Sequence, residues 1–134
     1  FAPAGRSWGY DHREVALRIP ASSEDNRRIE HRIAGADANP YFVLAAVLAG
    51  IHFGLESRVE PDTAVTREAD LSNSEVTIPQ RLDGALELLR AGTVLQDYMG
   101  AGFIAAYAAQ RQGESDLYHA QVPDQDYAWY LRAL

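Results

Sequence analysis

Residues 27–32 read Arg-Arg-Ile-Glu-His-Arg, and Ile33 follows. In an extended chain, successive side chains point to opposite faces. Arg28, Glu30 and Arg32 therefore share one face, and Ile29, His31 and Ile33 share the other. The segment reads as a strand with one face apolar enough to pack and one that presents a carboxylate flanked by two guanidiniums. A carboxylate can hold a hard cation such as Mg2+. Guanidiniums grip phosphate or carboxylate oxygens in a bidentate fork. Cation and anion chemistry together on one rigid strand points to phosphoryl transfer. The competing reading is a ladder of surface ion pairs, which are common and individually weak.

The charge distribution favours a localised anion site. The chain has 134 residues, enough for one domain with a sizeable core, and a net charge of −7. That charge argues against a nucleic-acid partner or an acidic membrane surface. All 12 basic residues other than histidine are Arg, which excludes a Schiff-base or P-loop lysine. Six of them, Arg6, Arg13, Arg18, Arg27, Arg28 and Arg32, lie in the first 32 residues beside five acids, whereas the remainder carries six Arg against 14 acids. The N-terminal quarter is thus a cationic patch on an acidic body. With no cysteine there is neither disulfide framework nor thiolate chemistry. No apolar run is long enough to cross a bilayer and no signal peptide is visible, so a cytoplasmic protein is expected. The start at Phe1 rather than Met suggests a fragment or processed piece.

Residues 1–12 show little periodicity and read as irregular. Residues 13–19 are rich in β-formers and stop at Pro20. With the polar turn Ala21–Asn26 and the strand over 27–33, they predict an antiparallel hairpin. Asn39 is a candidate N-cap with Pro40 at the first helical position. The helix over 41–55 is apolar nearly all round and is expected to be buried on most sides. Residues 56–76 read as a polar surface excursion. A second helix is expected from about Pro79, with Thr77 or Ile78 before it, stopping at Gly92. A third should run from Leu95 or Met99 to Gln112, its start blurred by Gly100 and Gly102. A last helix follows Pro123 and carries Tyr127, Trp129, Tyr130, Leu131 and Leu134. The fold class is α+β: a hairpin plus about four helices, with more sheet face than the chain itself can cover.

The ordered segments His12–Pro20, Arg27–Arg32 and Asp37-Ala38-Asn39-Pro40-Tyr41 resemble the C-terminal part of the glutamine synthetase catalytic domain. That family carries an N-R-x-x-x-x-R-I-P strand, an R-x-E-x-R strand and an Asn-Pro-Tyr helix start. Ile78-Pro79-Gln80-Arg81-Leu82 and Trp129-Tyr130-Leu131 are also similar to it, so the resemblance covers essentially the whole chain. It implies that residues 1–134 form a C-terminal fragment of such a domain, with active-site strands in 1–33 and a helical part over 39–134.

By position, the resemblance makes Glu30 a ligand of an active-site divalent metal, Mg2+ or Mn2+. It makes Arg32 the arginine that holds the carboxylate of substrate glutamate. Arg13 and Arg28 match catalytic arginines contacting nucleotide and transferred phosphate, and Arg18 matches another member of that ATP-side cluster. The reaction it implies forms γ-glutamyl phosphate from glutamate and ATP, which an amine or ammonia then displaces. His12 replaces the usual Asn. Ile33-Ala34-Gly35-Ala36-Asp37 is more like γ-glutamylpolyamine synthetases than ammonia-using members, and residues 56–79 lack the tyrosine of adenylylated enzymes. The expected function is an ATP-dependent glutamate–amine ligase acting as a ring-type, dodecamer-like homo-oligomer. Glutamate–ammonia ligase and a non-catalytic structural homologue are the alternatives.

Overall fold

The computed structural model describes residue 3 and residues 5–66 and 78–131. Most of the second half of the expected 56–76 excursion, Thr77 before the second helix and the terminal Leu134 lie outside the described residues. The chain divides into two compact units, Phe1–Arg81 and Leu82–Leu134.

The first unit holds a three-stranded sheet of order β1 (Trp8–Tyr10), β2 (Leu17–Ile19) and β3 (Glu30–His31). The expected hairpin is present: β2 and β3 run antiparallel, with Leu17 opposite His31 and Arg18 opposite Glu30. A single 3-10 turn at Glu24–Asn26 lies in the connection. Both strands are shorter than the expected 13–19 and 27–33. Val15 and Ala16 are both buried, at 0% and 3% exposure, and consecutive buried residues do not fit a two-faced strand.

The third strand is a departure from the irregular segment expected over 1–12. β1 pairs parallel with β2, setting Trp8 opposite Leu17 and Tyr10 opposite Ile19. Parallel neighbours ordinarily need a connection of a dozen residues or more. Here residues 11–16 suffice, because Asp11 takes a left-handed φ of 52° and starts the reversal. Asp11 N–H donates to the Ile19 carbonyl at 3.1 Å, and Leu17 N–H to that of Ser7 at 3.0 Å. Along β1, Val65 N–H donates to the Trp8 carbonyl at 2.8 Å, and the Trp8 indole donates to that of Asp62 at 2.6 Å. The approach explains Gly9: a Cβ there would stand 2.5 Å from the Val65 carbonyl oxygen.

Helix α1 (Pro40–Glu56) begins as the sequence dictates. Asn39 accepts from the N–H groups of Tyr41 and Phe42, and Pro40 fills the first position. Its expected burial on most sides is not found: Ala49 is its one buried residue, while Leu44, Leu48 and Ile51 are 58%, 56% and 45% exposed. Three short strands offer too little surface to cover an all-round apolar helix. Between helix and sheet lies an apolar cleft of about 880 Å³, walled by Val43, Val47 and Ile51 on one side and Leu17, Ile29, His31 and Ile33 on the other. The alternation read from residues 27–33 is therefore real, with Ile29, His31 and Ile33 on the cleft face.

The second unit contains α2 (Leu82–Ala91), α3 (Val94–Met99), α4 (Ala101–His119) and α5 (Asp124–Tyr130). Leu86 of α2 and Ile104 and Ala108 of α4 are buried and form its core. Arg90 reaches from α2 to the Ala108 carbonyl at 3.5 Å. The helix expected from Leu95 or Met99 is two helices, because Gly100 adopts a φ of 87° that breaks the run. Gly92 stops α2 as expected. Among the described residues, no helix is long and apolar enough to cross a membrane.

Candidate active site

The charged face of the sheet is built by the β2–β3 register. Because Arg18 lies opposite Glu30 in an antiparallel pair, the two side chains emerge on the same face at close range. Arg18 donates from Nη1 to Glu30 Oε2 at 2.9 Å. Period-2 alternation brings Arg28 to the same side, where its Nη2 donates to Glu30 Oε1 at 3.2 Å. Each carboxylate oxygen of Glu30 thus has its own guanidinium. The Arg18 hydrogen bond contributes most to holding the Glu30 carboxyl below its ordinary range, desolvation opposes it, and the Arg18 charge and the Arg28 contact add to the lowering. Glu30 is ionised throughout the neutral range.

Arg18 is further held from behind. Its Nη2 donates to Asp11 Oδ1 at 3.2 Å, and the same oxygen accepts from the Ala21 N–H at 2.8 Å. Reading the sequence missed Asp11. It sits in a stretch without periodicity, and its only signal is an Asp placed where a chain reversal needs a residue tolerant of left-handed φ.

The other two expected site residues stand differently. Arg32 continues the ladder, its N–H donating to the Ala16 carbonyl at 3.0 Å. Its Nε is buried and has no hydrogen-bond partner among the described residues, and the same holds for Arg18 Nε. A buried guanidinium N–H without an acceptor suits a carboxylate or phosphate oxygen from a ligand. Arg13 is exposed in the 11–16 loop and joins no ion pair among the described residues. The structure therefore gathers Arg18, Arg28 and Glu30 into one cluster and leaves Arg13 and Arg32 outside its ion pairs.

The donor set accommodates a divalent cation only in part. Among the described residues, no three His, Asp or Glu side chains converge as a metal cage. Mg2+, however, is commonly held by one or two carboxylates plus substrate phosphates. A carboxylate with one guanidinium on each oxygen still has lone pairs to share with a metal.

A model of the glutamine synthetase catalytic domain matches residues 1–130. The chain belongs to the glutamine synthetase family. It is 35% identical to gamma-glutamylputrescine synthetase of Escherichia coli over 98% of this chain and 28% of that protein. It is 36% identical to gamma-glutamylethanolamide synthetase of Streptomyces coelicolor over 98% of this chain and 27% of that protein. With a glutamine synthetase of Thermococcus kodakarensis it shares 34% identity over 76% of this chain and 25% of that protein. The chain spans less than a third of the length of these relatives. The Arg18–Glu30–Arg28 cluster places two guanidiniums and one carboxylate on a single sheet face of this chain.

Proposed function

We propose that this chain is the C-terminal portion of an ATP-dependent glutamate–amine ligase, and that it contributes one wall of the active site. The observation that carries the reading is the Glu30 carboxylate held between Arg18 and Arg28 on a single sheet face. In this role Glu30 supplies one oxygen ligand to Mg2+ or Mn2+, which neutralises charge on ATP when bound. Arg13, Arg18 and Arg28 face the charge that develops on the transferred phosphoryl group, and Arg32 holds the carboxylate of glutamate. The acceptor is an alkylamine of the polyamine type. Ile33-Ala34-Gly35-Ala36-Asp37 and the likeness to a gamma-glutamylputrescine synthetase and a gamma-glutamylethanolamide synthetase support that choice. The remaining walls come from the rest of the protein and from neighbouring copies in a ring-type homo-oligomer.

The test is phosphate release by the complete protein with ATP, glutamate and Mg2+, offered putrescine, ethanolamine or ammonia in turn. Turnover should require glutamate and be fastest with a diamine. Turnover with ammonia alone would reassign the protein as a glutamate–ammonia ligase, a reading that the likeness to the Thermococcus kodakarensis enzyme favours. Absence of turnover with all three, in a folded oligomer, would favour a non-catalytic homologue.

A further inference from the structure

Beside its cross-strand partner Glu30, Arg18 has a second carboxylate partner, Asp11. One oxygen of Asp11, Oδ1, takes both Arg18 Nη2 at 3.2 Å and the Ala21 N–H at 2.8 Å. Its own N–H is fixed to the Ile19 carbonyl at 3.1 Å, and its φ of 52° aims the side chain back over the end of β2. Arg18 is flanked by Asp11 on one side and by Glu30 at 2.9 Å on the other. A guanidinium is planar and rigid, so fixing Nη2 on one carboxylate fixes the direction in which Nη1 meets the second. With Asp11 neutral, Arg18 would be free to take Glu30 as its sole carboxylate and turn its whole fork onto it. That would draw Glu30 away from a cation.

We propose that Asp11 is a positioning residue of the active site, which divides Arg18 between two carboxylates and so keeps Glu30 available to the divalent metal. The proposal rests on the ligase reading above. In this role Asp11 acts through Arg18, as outer-shell partners of metal ligands do.

The substitution Asp11→Asn separates this role from that of a loop clamp. Asparagine tolerates left-handed φ and can still accept from the Ala21 N–H, but it lacks the charge that engages Arg18. In the complete protein, D11N should leave the thermal midpoint near that of wild type. It should weaken Mn2+ binding, read by electron paramagnetic resonance without turnover, by roughly tenfold, and turnover should fall to a similar degree. Added to Arg18→Ala, it should cause no further loss, because the residue it acts through is gone. Wild-type Mn2+ affinity in D11N would overturn the assignment, as would losses that multiply in the double variant. A wild type that turns over while D11N matches it sinks the Asp11 role alone. A wild type that neither turns over nor binds Mn2+ sinks the ligase reading and this role with it.

Discussion

Arg18 and Glu30 are directly opposed across the β2–β3 ladder, and Arg18 Nη1 donates to Glu30 Oε2 at 2.9 Å. The pairing is set by backbone register, so the carboxylate and its guanidinium are placed by two strands rather than by flexible loops. Preorganisation of this kind is what electrostatic stabilisation of a transferring phosphoryl group requires. In the complete protein, Glu30→Ala should therefore lower turnover by on the order of 10² or more, by removing the proposed metal ligand and leaving Arg18 and Arg28 without a shared counter-charge. Steady-state kinetics across a Mg2+ series measures this. Near-normal turnover with unchanged Mg2+ dependence would make Glu30 a structural ion pair.

The same pair makes stability depend on pH. The Glu30 carboxyl is held below the ordinary value of 4.5, chiefly by the Arg18 hydrogen bond. A depressed folded-state value means that the unfolded chain takes up the proton first as pH falls. The contribution of Glu30 is thus fully present above the ordinary value and disappears as pH drops through the lowered one. The gap in thermal midpoint between wild type and Glu30→Gln should be widest near about pH 7 and close in acid. A gap that stays constant down the acid limb would show that the ion pair adds nothing to folding.

Much of this site was readable from the sequence because it depends on local periodicity. Arg28 and Glu30 share a face, and Ile29, His31 and Ile33 share the other, as alternation demands. Asn39-Pro40 announced the start of α1 through chemistry confined to four residues. What escaped depends on contacts between distant parts of the chain. β1 is three residues long and split by Gly9, so its β-favouring Trp8 and Tyr10 are too short a run to show a period, and its pairing is made with β2 and Val65. The burial of α1 was overestimated because hydrophobicity records what a helix can bury, while burial depends on the surface available to cover it. Asp11 was missed for the same reason, since its partners Arg18 and Ala21 become neighbours only once the chain has reversed.

The cap of α1 offers a test free of any functional assumption. Asn39 Oδ1 accepts from Tyr41 N–H at 3.0 Å and from Phe42 N–H at 3.4 Å. Asn39→Ala removes the acceptor and should destabilise the protein by about 1 kcal/mol, whereas Asn39→Asp should be close to neutral. Denaturant midpoints of the two variants at equal slope measure the difference. Equal loss in both would indicate that the amide N–H of Asn39, rather than its acceptor oxygen, holds the turn.

Gly9 should resist substitution for a steric reason. A Cβ would come within 2.5 Å of the Val65 carbonyl oxygen, a backbone atom that cannot rotate away. Gly9→Ala must push the 62–65 segment off β1 and break the Val65-to-Trp8 hydrogen bond of 2.8 Å. Overpacking of this kind costs about 1–3 kcal/mol. A thermal midpoint within a degree of wild type would mean that the segment yields without loss.

Arg32 separates charge from geometry. Its buried Nε has no partner among the described residues, so a ligand oxygen there would meet an N–H that none of them takes up. Lysine keeps the positive charge but has no planar fork and no donor at that position. If Arg32 holds the carboxylate of glutamate, Arg32→Lys should weaken the apparent affinity for glutamate far more than that for ATP. The expected loss is about 1.5–3 kcal/mol, the range for a hydrogen bond to a charged group. Varying each substrate in turn at saturating levels of the other resolves the outcomes. Equal losses for both would indicate general damage to the strand that also carries Glu30, whereas a loss confined to ATP would move Arg32 to the phosphate side of the site.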